Sequence, residues 1–190
     1  MNGWEFKSNT LSKWRRNTSV TNDTDWDNLA DNNTDDAYCF YNNNNANATD
    51  YGALYTYAAT ISDNWERDNA DDQGVCPDGW HLPTDAEWTT LIDFLGGTDI
   101  AGGKMKEIGT THWNSPNTSA DNSSGFSAFP GGGHFSNGDF YQLGAYSAWW
   151  SATEYDSRHV YGHDVGYNSA EVEHFSNQKA IGFSVRCIRD

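Results

Sequence analysis

The stretch Val75–Gly97, VCPDGWHLPTDAEWTTLIDFLGG, carries the firmest structural instructions in the chain. Thr84 and Glu87 stand three residues apart just ahead of an apolar run, the spacing of a capping box. In that motif the Thr hydroxyl accepts from the Glu amide, and the Glu carboxylate reaches back to the Thr amide. Trp88, Leu91, Ile92 and Leu95 follow at i, i+3, i+4 and i+7, which is one helical face. Gly96 then sits where a left-handed C-cap ends a helix. Ahead of the helix, Cys76-Pro77 reads as a rigid turn and Gly79–Pro83 as a short strand. No pair of groups here suits catalysis, so the stretch reads as scaffold.

A chain of 190 residues is long enough for one domain with a proper core and short for two. Aromatics make up 15% of it, with nine Trp and ten Tyr, while 18 Gly provide many tight turns. A ring-rich, turn-rich composition predicts an α+β or mainly β domain rather than a helical bundle. With 27 acidic against 11 basic residues the net charge is −16, which repels a phosphate backbone and excludes nucleic acid as a partner. No apolar run approaches the roughly 18 residues that span a bilayer, so membrane insertion is not expected. The first residues, MNGWEFKSNTLSKWRRN, lack the apolar core of a signal peptide. Three cysteines allow one bridge with a free thiol, or three reduced thiols.

Residues 1–50 are rich in Asn and Asp, with isolated rings at Trp4, Trp14, Trp26, Tyr38, Phe40 and Tyr41. They are expected to form an irregular extension packed on the domain, with Asn42–Asn47 as a loop. From Tyr51 a helical face is predicted through Leu54, Tyr57, Ala58, Ile61 and Trp65, with Asp50 as N-cap. The polar linker Glu66–Gly74 lacks the spacing and closing Glu of a calcium loop. A short amphipathic piece is expected over Ala101–Gly109. Beyond it, strand-like runs alternate with turns to the closing AIGFSVRCIRD, where Ile181, Phe183, Val185 and Cys187 share a face. Two helices followed by strands predict an antiparallel sheet with the helices on one side.

The runs YGALYTYAA, VCPDGWHLPTDAEWTTL, AGGKMKEIGTTHWNSPNT, GFSAFPGG, WWSATE and GFSVRCIRD, in this order, resemble the major paralogous domain family named from Fibrobacter succinogenes. The upstream SVTNDTDWDNL and AYCFYNN match its usual lead-in, so the resemblance runs from about Leu11 onward over one domain of 1–190. It implies a C-type lectin-like fold, with two helices packed on short antiparallel strands and long irregular loops. It also implies a likeness to the variable proteins of diversity-generating retroelements, in which adenine-directed rewriting of a C-terminal coding segment alters a displayed binding surface. In a lectin-like domain the chain ends meet at a sheet, which favours a Cys76–Cys187 bridge; Cys39–Cys76 is the competing pairing.

Between the family-like flanks WWSATE (149–154) and GFSVRC (182–187), the sequence departs from the family wording. The implied ligand-binding residues there are Arg158, His159, Tyr161, Gly162, His163, Asp164, Glu171, Glu173, His174, Phe175 and Asn177. Glu171 and Glu173 are hard to reach by adenine-directed change, so ordinary divergence competes as an explanation. The residue types agree with a recognition surface independently, since rings supply contact area and polar groups fix register.

Other chemistries find less support. His159 and His163 are four apart, a ligand spacing only on a helix, and Gly162 between them breaks one. No metal ligands are assigned on this reading. His81, between Trp80 and Leu82, reads as a core or turn histidine bonded to backbone. The Glu-Pro-Asn, Gln-Pro-Asp and Trp-Asn-Asp triplets of calcium-dependent sugar lectins do not occur, although twenty Asp leave a structural calcium open. Formylglycine-generating enzymes, of related fold, need a late cysteine pair where this chain has Cys187 alone, and no Gly-x-Ser-x-Gly elbow is present. The expectation is therefore a non-enzymatic module, without cofactor, whose segment 156–181 recognises a protein or cell-surface ligand outside the cell or on a phage particle. A structural or adhesive surface domain is the alternative, and a formylglycine-generating-type enzyme relative comes third.

Overall fold

Short apolar runs punctuated by Gly, Asn and Asp give short elements. The computed structural model describes residues 18–61 and 73–190, together with the backbone of 6–8. Eleven strands and four α-helices are described: β1 (Phe6–Ser8), β2 (Thr18–Ser19), α1 (Asp23–Asp27), β3 (Ala37–Cys39), β4 (Leu54–Tyr55), α2 (Tyr57–Thr60), β5 (Trp80–His81), α3 (Asp85–Phe94), α4 (Thr98–Met105), β6 (Gly133–His134), β7 (Phe140–Tyr141), β8 (Tyr146–Glu154), β9 (His159–Gly166), β10 (Glu173–Gln178) and β11 (Arg186–Arg189). This is a mixed α+β architecture with small sheets. Among the described residues the sheets run β1-β11-β5, β10-β9-β8, β2-β3-β4 and β6-β7. No described helix is long and apolar enough to cross a membrane.

Helix α3 forms as its local sequence dictates. The Glu87 amide donates to Thr84 Oγ1 at 3.3 Å, and the Thr84 amide donates to Glu87 Oε2 at 2.8 Å. At the other end Gly96, at φ +107°, makes the left-handed turn. Its amide donates to Asp93 O and that of Gly97 to Ile92 O, both at 3.0 Å, the paired bonds of a Schellman motif. Trp88, Leu91, Ile92 and Leu95 are all buried.

The sheet β8–β9–β10 is covered on both faces. Successive side chains of a strand point to opposite sides, and the adjacent Trp149 and Trp150 divide accordingly. Trp149 stacks on Trp88 with centroids 5.8 Å apart, in a core with α3, α4, Trp113 and Phe126. Trp150 lies 4.7 Å from Phe183 and donates to Tyr55 O at 2.8 Å, in a second core with Tyr57, Val160, Cys76 and Cys187. The expected one-sided packing is therefore corrected, because segment 181–185 and β4 form a second wall. Tyr55 and Phe183 exchange backbone bonds of 2.8 and 3.0 Å there. A third cluster gathers Val20, Trp26, Ala37, Cys39 and Leu54, and the Trp26 indole donates to Ala180 O at 2.9 Å.

The helix predicted from Tyr51 is likewise corrected. Leu54 and Tyr55 are strand, and the single turn α2 starts after the N-cap Thr56. Every residue from Ala53 to Thr60 is buried, so the apolar spacing reflects contacts on all sides rather than one helical face. Trp4, Trp14, Trp65 and most of the linker 66–74 lie outside the described residues. The piece expected over Ala101–Gly109 is a helix that starts earlier, at Thr98, and ends at Met105. The face shared by Ile181, Phe183, Val185 and Cys187 exists as packing in one core, although only Arg186–Arg189 is ladder strand.

Cys76 is joined to Cys187, with Cα atoms 5.8 Å apart across a sequence separation of 111. Closing a loop of that length contributes roughly 4–5 kcal/mol by the chain-entropy model. Cys39 is a free, buried thiol, and burial holds its pKa far above the ordinary range.

Candidate functional site

The departing segment 156–181 forms β9, a loop and the edge strand β10. The two strands pair antiparallel, with His174 opposite His163, Phe175 opposite Gly162 and Glu173 opposite Asp164. Period-2 alternation therefore splits the eleven candidate residues between two faces. His159, Tyr161, His163 and His174 share the face that meets α3. Gly162, Asp164, Glu173, Phe175 and Asn177 belong to the other, while Arg158 and Glu171 stand in the flanking turns.

The α3-side face carries a ladder of rings. Exposed Tyr155 meets Tyr161 edge-on at 5.4 Å, Tyr161 stacks on His174 at 4.8 Å, and His174 stacks on His163 at 4.9 Å. His163 in turn lies 5.2 Å from buried Trp88. Tyr155 is 54% exposed and the His163 side chain 2%, so the ladder runs from solvent into the core. At its inner end Asp85, the first residue of α3, holds both imidazoles. His163 Nε2 is 3.1 Å and His174 Nε2 2.9 Å from the same oxygen, Asp85 Oδ1. Burial lowers the pKa of His163 against the opposing pull of Asp85. Burial also pulls Asp85 upward, but the His163 hydrogen bond and the nearby His174 outweigh it and hold the carboxyl below its ordinary value.

On the opposite face three candidates serve the scaffold. The Phe175 ring covers Gly162 and lies 5.3 Å from Phe183; a Cβ on Gly162 would stand 2.6 Å from that ring. Asp164 is buried and accepts from the Tyr146 hydroxyl at 2.9 Å. Burial, helped by the charge of Glu173, raises its pKa to about 7.

The segment is fixed at both ends. Arg158 pairs with Asp31 at 2.8 Å, and the same carboxylate accepts from Gln178 Nε2 and the Ala180 amide. Buried Lys179 pairs with Glu154, which also accepts from Asn33. The β8–β9 turn is held by Asp156, whose Oδ1 accepts from the amides of Arg158 and His159, with the His159 ring also bonded to it. His159 is thus occupied by Asp156, and the four-residue spacing with His163 has no joint role. At the loop, Lys106 Nζ donates to Gly166 O, Ser169 O and Thr118 O at 2.6–3.0 Å. Glu171, Glu173 and His174 remain exposed, with Tyr161, Phe175 and Asn177 half-buried.

A separate cavity of about 530 Å³ is lined by Tyr51, His112, Phe129, Ser147, Trp149 and Arg186, among others, none of them from 156–181. Among the described residues, Ser147 Oγ and Arg186 Nε are buried without hydrogen-bond partners.

The sequence model of the Fibrobacter succinogenes major domain family matches residues 9–189, almost the whole chain. The chain belongs to that family. Comparison with curated proteins and with solved structures returns no match. Two contributors to this Fibrobacter succinogenes major domain's site escape a reading of its sequence. Asp85 is identifiable only as the residue after an N-cap, and Tyr155 only as the residue after the WWSATE flank. The signal lies in the register that carries them to His163 and Tyr161.

Proposed function

We propose that this domain is a non-enzymatic recognition module whose ligand, a protein or other cell-surface macromolecule, docks on the outer rungs of the ring ladder. The observation that carries this reading is the continuous ladder of ring contacts Tyr155–Tyr161–His174–His163. Stacked rings with few rotatable bonds offer contact area at low entropic cost, and anchors of this kind dominate measured interfaces. A C-type lectin-like fold is the arrangement we assign to it; the pairing of N-terminal β1 with C-terminal β11 supports that assignment. Rewriting of the segment by a diversity-generating retroelement fits its design. Both ends are clamped by Asp31 and Glu154 and the central loop by Lys106, so solvent-facing residues between them are replaceable without loss of the frame. We place the module outside the cell or on a phage particle.

Binding of the labelled domain to bacterial cells tests the reading. Truncating Tyr155 and Tyr161 together to Ala removes two anchors, and hot-spot residues contribute about 2 kcal/mol or more each. Affinity is expected to fall by about 700-fold if the two contributions add, and by at least about 30-fold if only one anchor engages, while the folded state, checked by thermal melting, persists. Unchanged affinity, or loss only when the wall of the 530 Å³ cavity at His112 or Arg186 is altered, would overturn it.

A further inference from the structure

We propose that Asp85, His163 and His174 form a binding site for a divalent transition-metal ion of the zinc class. One donor atom from each of the three lies within 4.8 Å of the other two. The two imidazole Nε2 atoms are 3.1 and 2.9 Å from Asp85 Oδ1. A tetrahedral zinc ion with bonds of about 2.0–2.2 Å holds neighbouring ligand atoms roughly 3.3 Å apart. The two distances to Asp85 match that spacing, and the two imidazole nitrogens lie within 4.8 Å of each other, so an ion that replaces the bridging protons draws the two rings together through side-chain rotation.

The ligands are organised before the ion arrives. Asp85 is fixed as the first residue of a helix closed by its capping box, and its amide donates to Thr153 Oγ1 at 3.1 Å. His163 and His174 are direct cross-strand partners, with rings parallel to within 24°. Trp88 packs against His163, so one imidazole is held in a dry wall while the other stands at the rim. The donor set decides the class of ion. Two imidazoles and one carboxylate suit zinc, cobalt or nickel, whereas calcium and magnesium call for oxygen ligands. The net charge of −16 draws cations toward the surface. Three protein ligands leave a fourth position, and the His174 side chain is 46% exposed, so that position faces solvent. The site's affinity for an ion does not depend on what the surrounding surface recognises.

Calorimetric titration of the chelator-treated full chain with zinc chloride tests the proposal, with the visible absorption of bound cobalt(II) reporting coordination number. One saturable equivalent is expected, with a rise in melting temperature and a four-coordinate cobalt spectrum. His174→Ala should weaken binding at least about tenfold, and Asp85→Asn should do likewise. His159→Ala, which removes a ring engaged elsewhere, should leave affinity unchanged. His174 lies at the surface, so its variant retains the fold, which circular dichroism checks. Absence of saturable zinc binding would overturn the site. So would affinity that is insensitive to both His174→Ala and Asp85→Asn, or a response to calcium in place of zinc.

Discussion

His81 joins three parts of the chain through one ring. Its Nδ1 is 2.7 Å from Asp190 Oδ1, in the residue after β11, and its Nε2 is 3.0 Å from Glu87 Oε1 on α3. The other Glu87 oxygen closes the capping box, so one carboxylate serves both motifs. Burial alone would lower the pKa of His81, but the hydrogen bonds to Asp190 and Glu87 win and raise it. Because the folded value lies above the unfolded value of about 6.5, its stabilisation is complete below that pH and fades as pH rises through the folded value. His81→Gln should thus cost about 1.5 kcal/mol at pH 5.5 and less at pH 8.5, as urea denaturation at the two pH values would read. The sequence around this ring predicts backbone partners for it. The polar environment was legible, but a carboxylate 109 residues away was not.

At the scale of elements, what was legible depended on whether the determinants are local. Helix α3 was readable to its caps because Thr84, Glu87 and Gly96 act on backbone groups within a turn or two. The stretch Ala53–Thr60 was misread because burial on every side erases the difference between periods of 2 and 3.6. Helix α4 adds a constraint that a sequence does not display. Gly102 faces the backbone of Ala170 and Glu171, with no room for a Cβ beside Glu171 O, and the Gly103 amide donates to Ala170 O at 3.0 Å. That contact and the Gly166 and Ser169 carbonyls bound by Lys106 seat the loop between β9 and β10. Gly102→Ala should therefore destabilise by about 1–3 kcal/mol through overpacking, a cost measurable as a lower urea midpoint with an unchanged slope. A neutral outcome would mean that the loop yields freely and is not held by α4.

For the whole molecule, the sheet β8–β9–β10 stands between two ring-rich cores and carries its solvent-facing candidate residues on β9 and the edge strand β10. The α+β class and the family were legible from composition and from six ordered motifs, because those motifs are scaffold: Trp88, Trp150, Cys76 and Cys187 are all buried. The segment 156–181 was legible as a unit, but its division was not. A list of residues types carries no register, so Gly162, His163 and Asp164 stood beside Tyr161 and His174 until pairing sent them inward. Trp88, read as scaffold alone, is also the inner support of the ring ladder. The central claim is that a clamped frame presents replaceable side chains, and sequencing independent copies of this coding segment tests it most directly. Changes are expected to concentrate at the solvent-facing His159, Tyr161, Glu171, Glu173 and Asn177, and to spare the clamp Arg158, the ligands His163 and His174, the packed Gly162, Asp164 and Phe175, and the flanks 149–154 and 182–187. Changes spread evenly along the domain, or falling as often on Gly162 and Asp164 as on Tyr161 and Glu173, would contradict it.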